Sequence, residues 1–135
     1  MGKRRALGLL LCLLLLLCTA CGGRTQNDTG DLRCTVTIEC ATVLAHMDDL
    51  SPDKAEIVPS DGVLLPETEV AFSEGDTVFD VLQRVCRAQG IHMESNWTPA
   101  YNSAYIEGIG NLYEFDCGSL SGWMYSVNGV WPDYG

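Results

Sequence analysis

TEVAFSEGDTVFDVLQRVCRAQG, Thr68 to Gly90, is the stretch on which the fold turns. Glu69 to Phe72 reads as a short strand, and Glu74-Gly75-Asp76 as the turn that ends it. Thr77 and Asp80 have capping-box spacing: the hydroxyl accepts from the backbone three residues on, and the carboxylate reaches back. Val78, Val81, Leu82 and Val85 then fall at i, i+3, i+4 and i+7, the apolar stripe of an amphipathic helix. Arg84 and Arg87 occupy the last turns, where the helix dipole favours cations, and Gly90 is placed to close the helix in a left-handed conformation. Cys86 borders the stripe, within reach of a sheet.

Working outward, RCTVTIEC (Arg33 to Cys40) alternates strictly, with Cys34, Val36, Ile38 and Cys40 on one face. That is a half-buried strand. ATVLAHMDDL has the character of a short helical turn closed by Ser51-Pro52, and Asp53 to Pro66 reads as loop with short extended pieces. After the helix come four strand signals separated by turn residues: IHMESNW, SAYIEGI, NLYEFDC and GWMYSVNG. One clear helix among several short strands predicts an α+β fold, β-grasp-like, with one amphipathic helix packed on a small mixed β-sheet.

The N-terminal residues belong to export and not to the fold. Lys3, Arg4 and Arg5 precede the apolar run Ala6 to Leu17, and Thr19-Ala20 lead into Cys21. Residues 1–20 have the layout of a secretory signal peptide, too short and wrongly flanked for a membrane span. The ending resembles a bacterial lipobox, which makes Cys21 the lipidation site and residues 21–32 the lipidated cysteine and a flexible tether. Leu17 and Cys18 depart from the usual lipobox spacing, and an ordinary cleavable signal that releases a soluble protein is the alternative. The folded domain is expected over 33–135. Removal of the leader leaves Arg24, Arg33, Lys54, Arg84 and Arg87 against 18 acidic residues. Such a chain repels phosphate, which argues against a nucleic-acid partner and against strong attraction to anionic headgroups. Its membrane partner is reached through the lipid on Cys21. The expected location is therefore the bacterial cell membrane, lipid-anchored and facing the extracellular side.

Four of the seven cysteines lie in the folded part: Cys34, Cys40, Cys86 and Cys117. Export makes them disulfide candidates, and none forms the Cys-x-x-Cys pair of a zinc or redox site. Cys34 and Cys40 at the two ends of one strand are about 20 Å apart, too far to bond each other. Two pairings remain: Cys34–Cys86 with Cys40–Cys117, or Cys34–Cys117 with Cys40–Cys86.

Catalysis has no foothold. His46 and His92 are the only histidines and lie in separate segments, with no nucleophile elbow and no metal-binding histidine spacing. We expect no catalytic residue, no metal site and no required cofactor. His92 is weighed as a metal ligand and set aside as a half-exposed strand histidine. Asp48, Asp49, Asp53 and Glu56 are set aside as a solvated acidic loop without EF-hand spacing. Binding has more support. In a strand through GWMYSVNG, Trp123, Tyr125 and Val127 share one face, and Asn128-Gly129 signals a tight turn that returns Trp131 and Tyr134 to the same end. Tyr101, Tyr105 and Tyr113 add amphipathic rings. Such rings suit a flat apolar ligand or a protein hot spot, although Trp123 and Tyr125 serve equally well as core. The candidate ligand-binding residues are Trp123, Tyr125, Asn128, Trp131, Tyr134 and Tyr105.

TVFDVLQRVCRAQGIHME, YIEGIGNLYEFDCG and SGWMYSVNGVWPDYG together resemble the transcobalamin-like C-terminal domain family, over about residues 34–135. The resemblance implies a β-grasp-like ligand-binding fold in a bacterial surface lipoprotein, with cobalamin or a related corrinoid as ligand. It sets Trp123 at the opening of the family's aromatic strand, and Asn128 with Val130-Trp131-Pro132 in the region that faces ligand. The family continues past the Tyr134-Gly135 motif into a cysteine and a final strand, so the expectation is an incomplete member with an exposed sheet edge. The helical barrel that completes the animal carriers is lacking, which makes weak capture or a partner protein part of the same expectation. The alternative is a protein-interaction or adhesion module at the cell surface.

Overall fold

A computed structural model of the chain describes residues 32–133. The signal segment, Cys21 and Tyr134 lie outside the described residues. The elements are β1 (Leu32–Glu39), β2 (Val63–Phe72), α1 (Val78–Gln89), β3 (Met93–Thr98), β4 (Ser103–Ile109) and β5 (Leu112–Tyr113). A 3-10 helix over Ala41–Ala45 and another over Pro52–Lys54 occupy the excursion between β1 and β2. The class is α+β, as expected. The strands do not form one mixed sheet, however. They pair antiparallel in two small sheets, β1-β2 and β3-β4-β5.

β1 alternates as its sequence dictates, with Ile38 and Cys40 buried and Thr35, Thr37 and Glu39 exposed. β2 is longer than Glu69 to Phe72 and runs through Pro66. Its register shifts between the pairs Val36↔Thr68 and Ile38↔Leu65, so Pro66 and Glu67 together oppose Thr37. A proline has no N–H for the ladder, and a bulge is where a strand tolerates it.

The helix forms as its caps require. Thr77 Oγ1 accepts from Asp80 N–H at 3.2 Å, and Asp80 Oδ2 accepts from Thr77 N–H at 2.8 Å. At the other end Gly90 takes φ +67°, its N–H bonds Arg87 O, and Ile91 N–H bonds Cys86 O at 2.8 Å. That is a Schellman ending, with Ile91 packed back on the core. Arg84 fastens the helix to the sheet by donating to Ala71 O at 2.8 Å and to Asp76 Oδ2 at 2.9 Å. The Asp76 carboxyl is held below its ordinary range, most by the Ser73 N–H that donates to Oδ2 at 2.8 Å and next by Arg84. Hydrogen bonds from Thr77 do the same for Asp80.

The core divides in two. One cluster holds Val81, Val85 and Cys86 of α1 against Ile38, Leu65 and Val70 of the first sheet and Ile109 of the second. The other gathers Cys40, Leu50 and Leu112 beneath the excursion. Leu64 and Trp123 pack against both.

Candidate ligand-binding groove

The aromatic C-terminal segment is where sequence and structure part. Residues 121–126 have no strand ladder, although GWMYSVNG alternates like one. The alternation survives as orientation: Trp123 and Tyr125 are half-buried, while Met124 is 75% exposed. A ladder needs a neighbouring strand with free backbone groups. Among the described residues the only bridge in this segment is its own turn. Val127 and Val130 exchange both backbone hydrogen bonds, at 2.9 and 3.0 Å, across Asn128 at φ +51° and Gly129 at φ +76°. Positive φ at both central residues is the type I′ turn that Asn-Gly favours.

That turn stands beside the first turn of α1. Between them lies a groove of about 290 Å³ lined by Val78, Tyr125, Val127, Val130 and Pro132. Of the five candidates among the described residues, Tyr125 alone lines it. Trp131, between two lining residues, is 61% exposed. Asn128 is at the tip of the turn. Trp123 points the other way: its indole Nε1–H donates to Leu112 O at 2.9 Å, and its ring bridges the two core clusters. Val78 is the lining residue that sequence reasoning missed. The apolar stripe assigns it to the core, yet at the first helical position it is 46% exposed and stays outside the cluster that buries Val81 and Val85. No local signal distinguishes those two outcomes.

Tyr105 belongs to a separate polar surface on the second sheet. It stands on β4, and its hydroxyl donates to Glu114 Oε2. Tyr113 is on β5. Its hydroxyl donates to Glu94 Oε1 at 2.7 Å, and His92 Nε2 meets the same oxygen at 2.8 Å. Tyr113 and then His92 lower the Glu94 carboxyl, and the carboxylate partners Glu114 and Glu94 raise the Tyr105 and Tyr113 phenols. Gly108, opposite Tyr113 in the ladder, leaves room for that ring: a Cβ there would stand 2.6 Å from Tyr113 Cδ1. Lys54 Nζ lies 4.9 Å from the centroid of the same ring and 3.4 Å from Asp116 Oδ2.

Among the described residues the four cysteines stand in the reduced state, Cys40 and Cys86 buried and Cys34 and Cys117 half-buried. Burial pushes the Cys40, Cys86 and Cys117 thiols up, with nearby carboxylates adding to the rise at Cys40 and Cys117.

Residues 75–135 match the model of a family described as a domain of unknown function, DUF4430. The match takes in α1, the second sheet and every residue that lines the groove. No curated protein and no solved structure matches the chain.

Proposed function

We propose that this is a non-enzymatic, lipid-anchored surface protein whose groove beside α1 captures an apolar ligand, with cobalamin or a related corrinoid as the candidate. The groove carries the reading. Its lining is apolar apart from one tyrosine, and it lies within the segment that resembles the transcobalamin-like C-terminal domain. At about 290 Å³ it falls just below the range of ligand sites, which run from roughly 300 to 1,000 Å³. A corrinoid is far larger, so the groove would take one edge of the ring system, with Trp131 laid against the remainder. Tyr125 and Asn128 would supply the polar contacts at the periphery. Binding by one face alone is weak, and a partner protein would close the other side.

The test is equilibrium dialysis of the full chain against cobalamin and cobinamide, beside Val130→Asp and Trp131→Ala. Binding tighter than about 1 mM, corresponding to roughly 4 kcal/mol, that falls at least tenfold in both variants is the expected result. No binding by the folded wild-type chain would overturn the corrinoid reading. The anchor is tested separately, because Cys21→Ser would release the protein from membranes without altering dialysis.

A second reading, docking of a protein partner, is favoured by one observation. Met124, Val130 and Trp131 are all largely exposed within eight residues of chain, an apolar concentration of the kind found at hot spots.

A further inference from the structure

We propose that Cys34 pairs with Cys86 and Cys40 with Cys117, so that two disulfides clamp the two halves of the fold, one through each core cluster. Of the two pairings that strand geometry leaves open, the packing selects this one. Cys34 faces Val70 in the β1-β2 ladder, and its thiol lies 3.8 Å from Val70 O. One residue further on, Ala71 O accepts from Arg84, and Cys86 is two residues beyond Arg84 on the same helix. Cys86 is buried in the cluster that contains Val70, with Cys34 packed against that cluster.

Cys40 stands at the far end of β1, in the other cluster. Its neighbour there is Leu50, which bridges to Cys117 in antiparallel fashion. Ser51 N–H bonds Asp116 O at 2.7 Å, and the Cys117 thiol lies 3.4 Å from His46 O. Cys117 is thereby tied to the segment that follows Cys40 and packs against the cluster that buries it. The opposite pairing would draw Cys117 along the whole of β1 to Cys34 and Cys86 out of the helix interface to Cys40. Both moves would tear the cores apart.

Each pairing joins two thiols in one S–S bond, releasing two protons and two electrons to a disulfide oxidant. An oxidising extracellular compartment supplies such an oxidant if the export reading holds. In the test, oxidised glutathione takes up the electrons and becomes two molecules of reduced glutathione, so the outcome does not depend on export. Burial keeps the Cys40 and Cys86 thiols protonated and hidden, so the folded reduced protein should react slowly. The bonds should form during folding.

The experiment is refolding of the full chain from denaturant with reduced and oxidised glutathione, followed by alkylation and mass mapping of the disulfide-linked peptides. The expected product carries Cys34–Cys86 and Cys40–Cys117 links and melts roughly 10 °C or more above its reduced form. Of the four cysteines of the folded part, Cys86→Ala should newly free only Cys34 to alkylation under denaturing conditions, and Cys117→Ala only Cys40. A product with Cys34–Cys117 or Cys40–Cys86 links overturns the proposal. So does a refolded protein in which all four remain free. The mapping on wild-type chain stands even if a variant fails to fold.

Discussion

Replacing Trp123 by phenylalanine separates the core role of this residue from any role at the groove. The substitution removes the Nε1–H that donates to Leu112 O at 2.9 Å, a neutral hydrogen bond worth about 1 kcal/mol net. It also withdraws part of a ring that touches both core clusters. At about 25 cal/mol per Å² over the few tens of Å² that a half-buried indole loses, that is about another 1 kcal/mol. Together the loss is about 2 kcal/mol. A domain of this size has a urea m-value of about 1 kcal/mol per M, so the midpoint should fall by about 2 M with unchanged slope. The assay is urea unfolding followed by far-ultraviolet circular dichroism, with Trp131→Phe as control. Trp131 is largely exposed, and its substitution should move stability by no more than about 0.5 kcal/mol. Equal losses in the two variants, or a Trp123→Phe protein as stable as wild type, would refute the division between a structural and an exposed tryptophan.

Gly108→Ala should cost about 1–3 kcal/mol by driving the new methyl into the Tyr113 ring. Because the ring must leave Glu94, phenolate absorbance should show the raised Tyr113 titration moving back down. Gly90→Ala meets no atom within 4 Å, so its cost of about 1 kcal/mol comes from the left-handed backbone alone; a melting temperature unchanged from wild type would deny the Schellman ending. Asp76 and Asp80 have folded pKa values below their unfolded ones, so the stability they contribute is complete above about pH 4 and is lost as pH falls through the folded values. Urea unfolding between about pH 2 and 6 should therefore decline more shallowly in Asp76→Asn/Asp80→Asn than in wild type, and equal slopes would assign the acid sensitivity elsewhere.

The helix was legible because everything that defines it is local: a cap three residues from its partner, a stripe of period 3.6, and a glycine where the left-handed turn falls. β1 was legible for the same reason at period 2, and β4 coincides with SAYIEGI. β2 was read too short because Pro66 looks like punctuation when only the chain is seen. A bulge against Thr37 on another strand is what admits it. The C-terminal segment misled in the opposite sense. Alternation at Trp123, Met124 and Tyr125 records which side faces the protein, and it occurs with or without a ladder. The division of the core, and with it the exposure of Val78, depends on contacts far apart in sequence, to which no local period corresponds. Tyr125 and the Asn128-Gly129 turn were found because ring chemistry and turn chemistry are properties of the residues themselves.

The stitching of the 40–62 excursion onto the C-terminal half bears on how this molecule can be divided and inherited. Leu50 bridges Cys117, Ser51 bonds Asp116, and Lys54 Nζ donates to Asn111 O at 2.9 Å. Meanwhile the helix buries its apolar face on strands that precede residue 75. The family boundary at residue 75 is therefore no physical seam: a polypeptide cut there would present Val81, Val85 and Cys86 to water. Residues 75–135 should unfold as half of one cooperative unit with β1 and β2. Amide protection should accordingly rise and fall together on the two sides of that boundary, as in a single foldon.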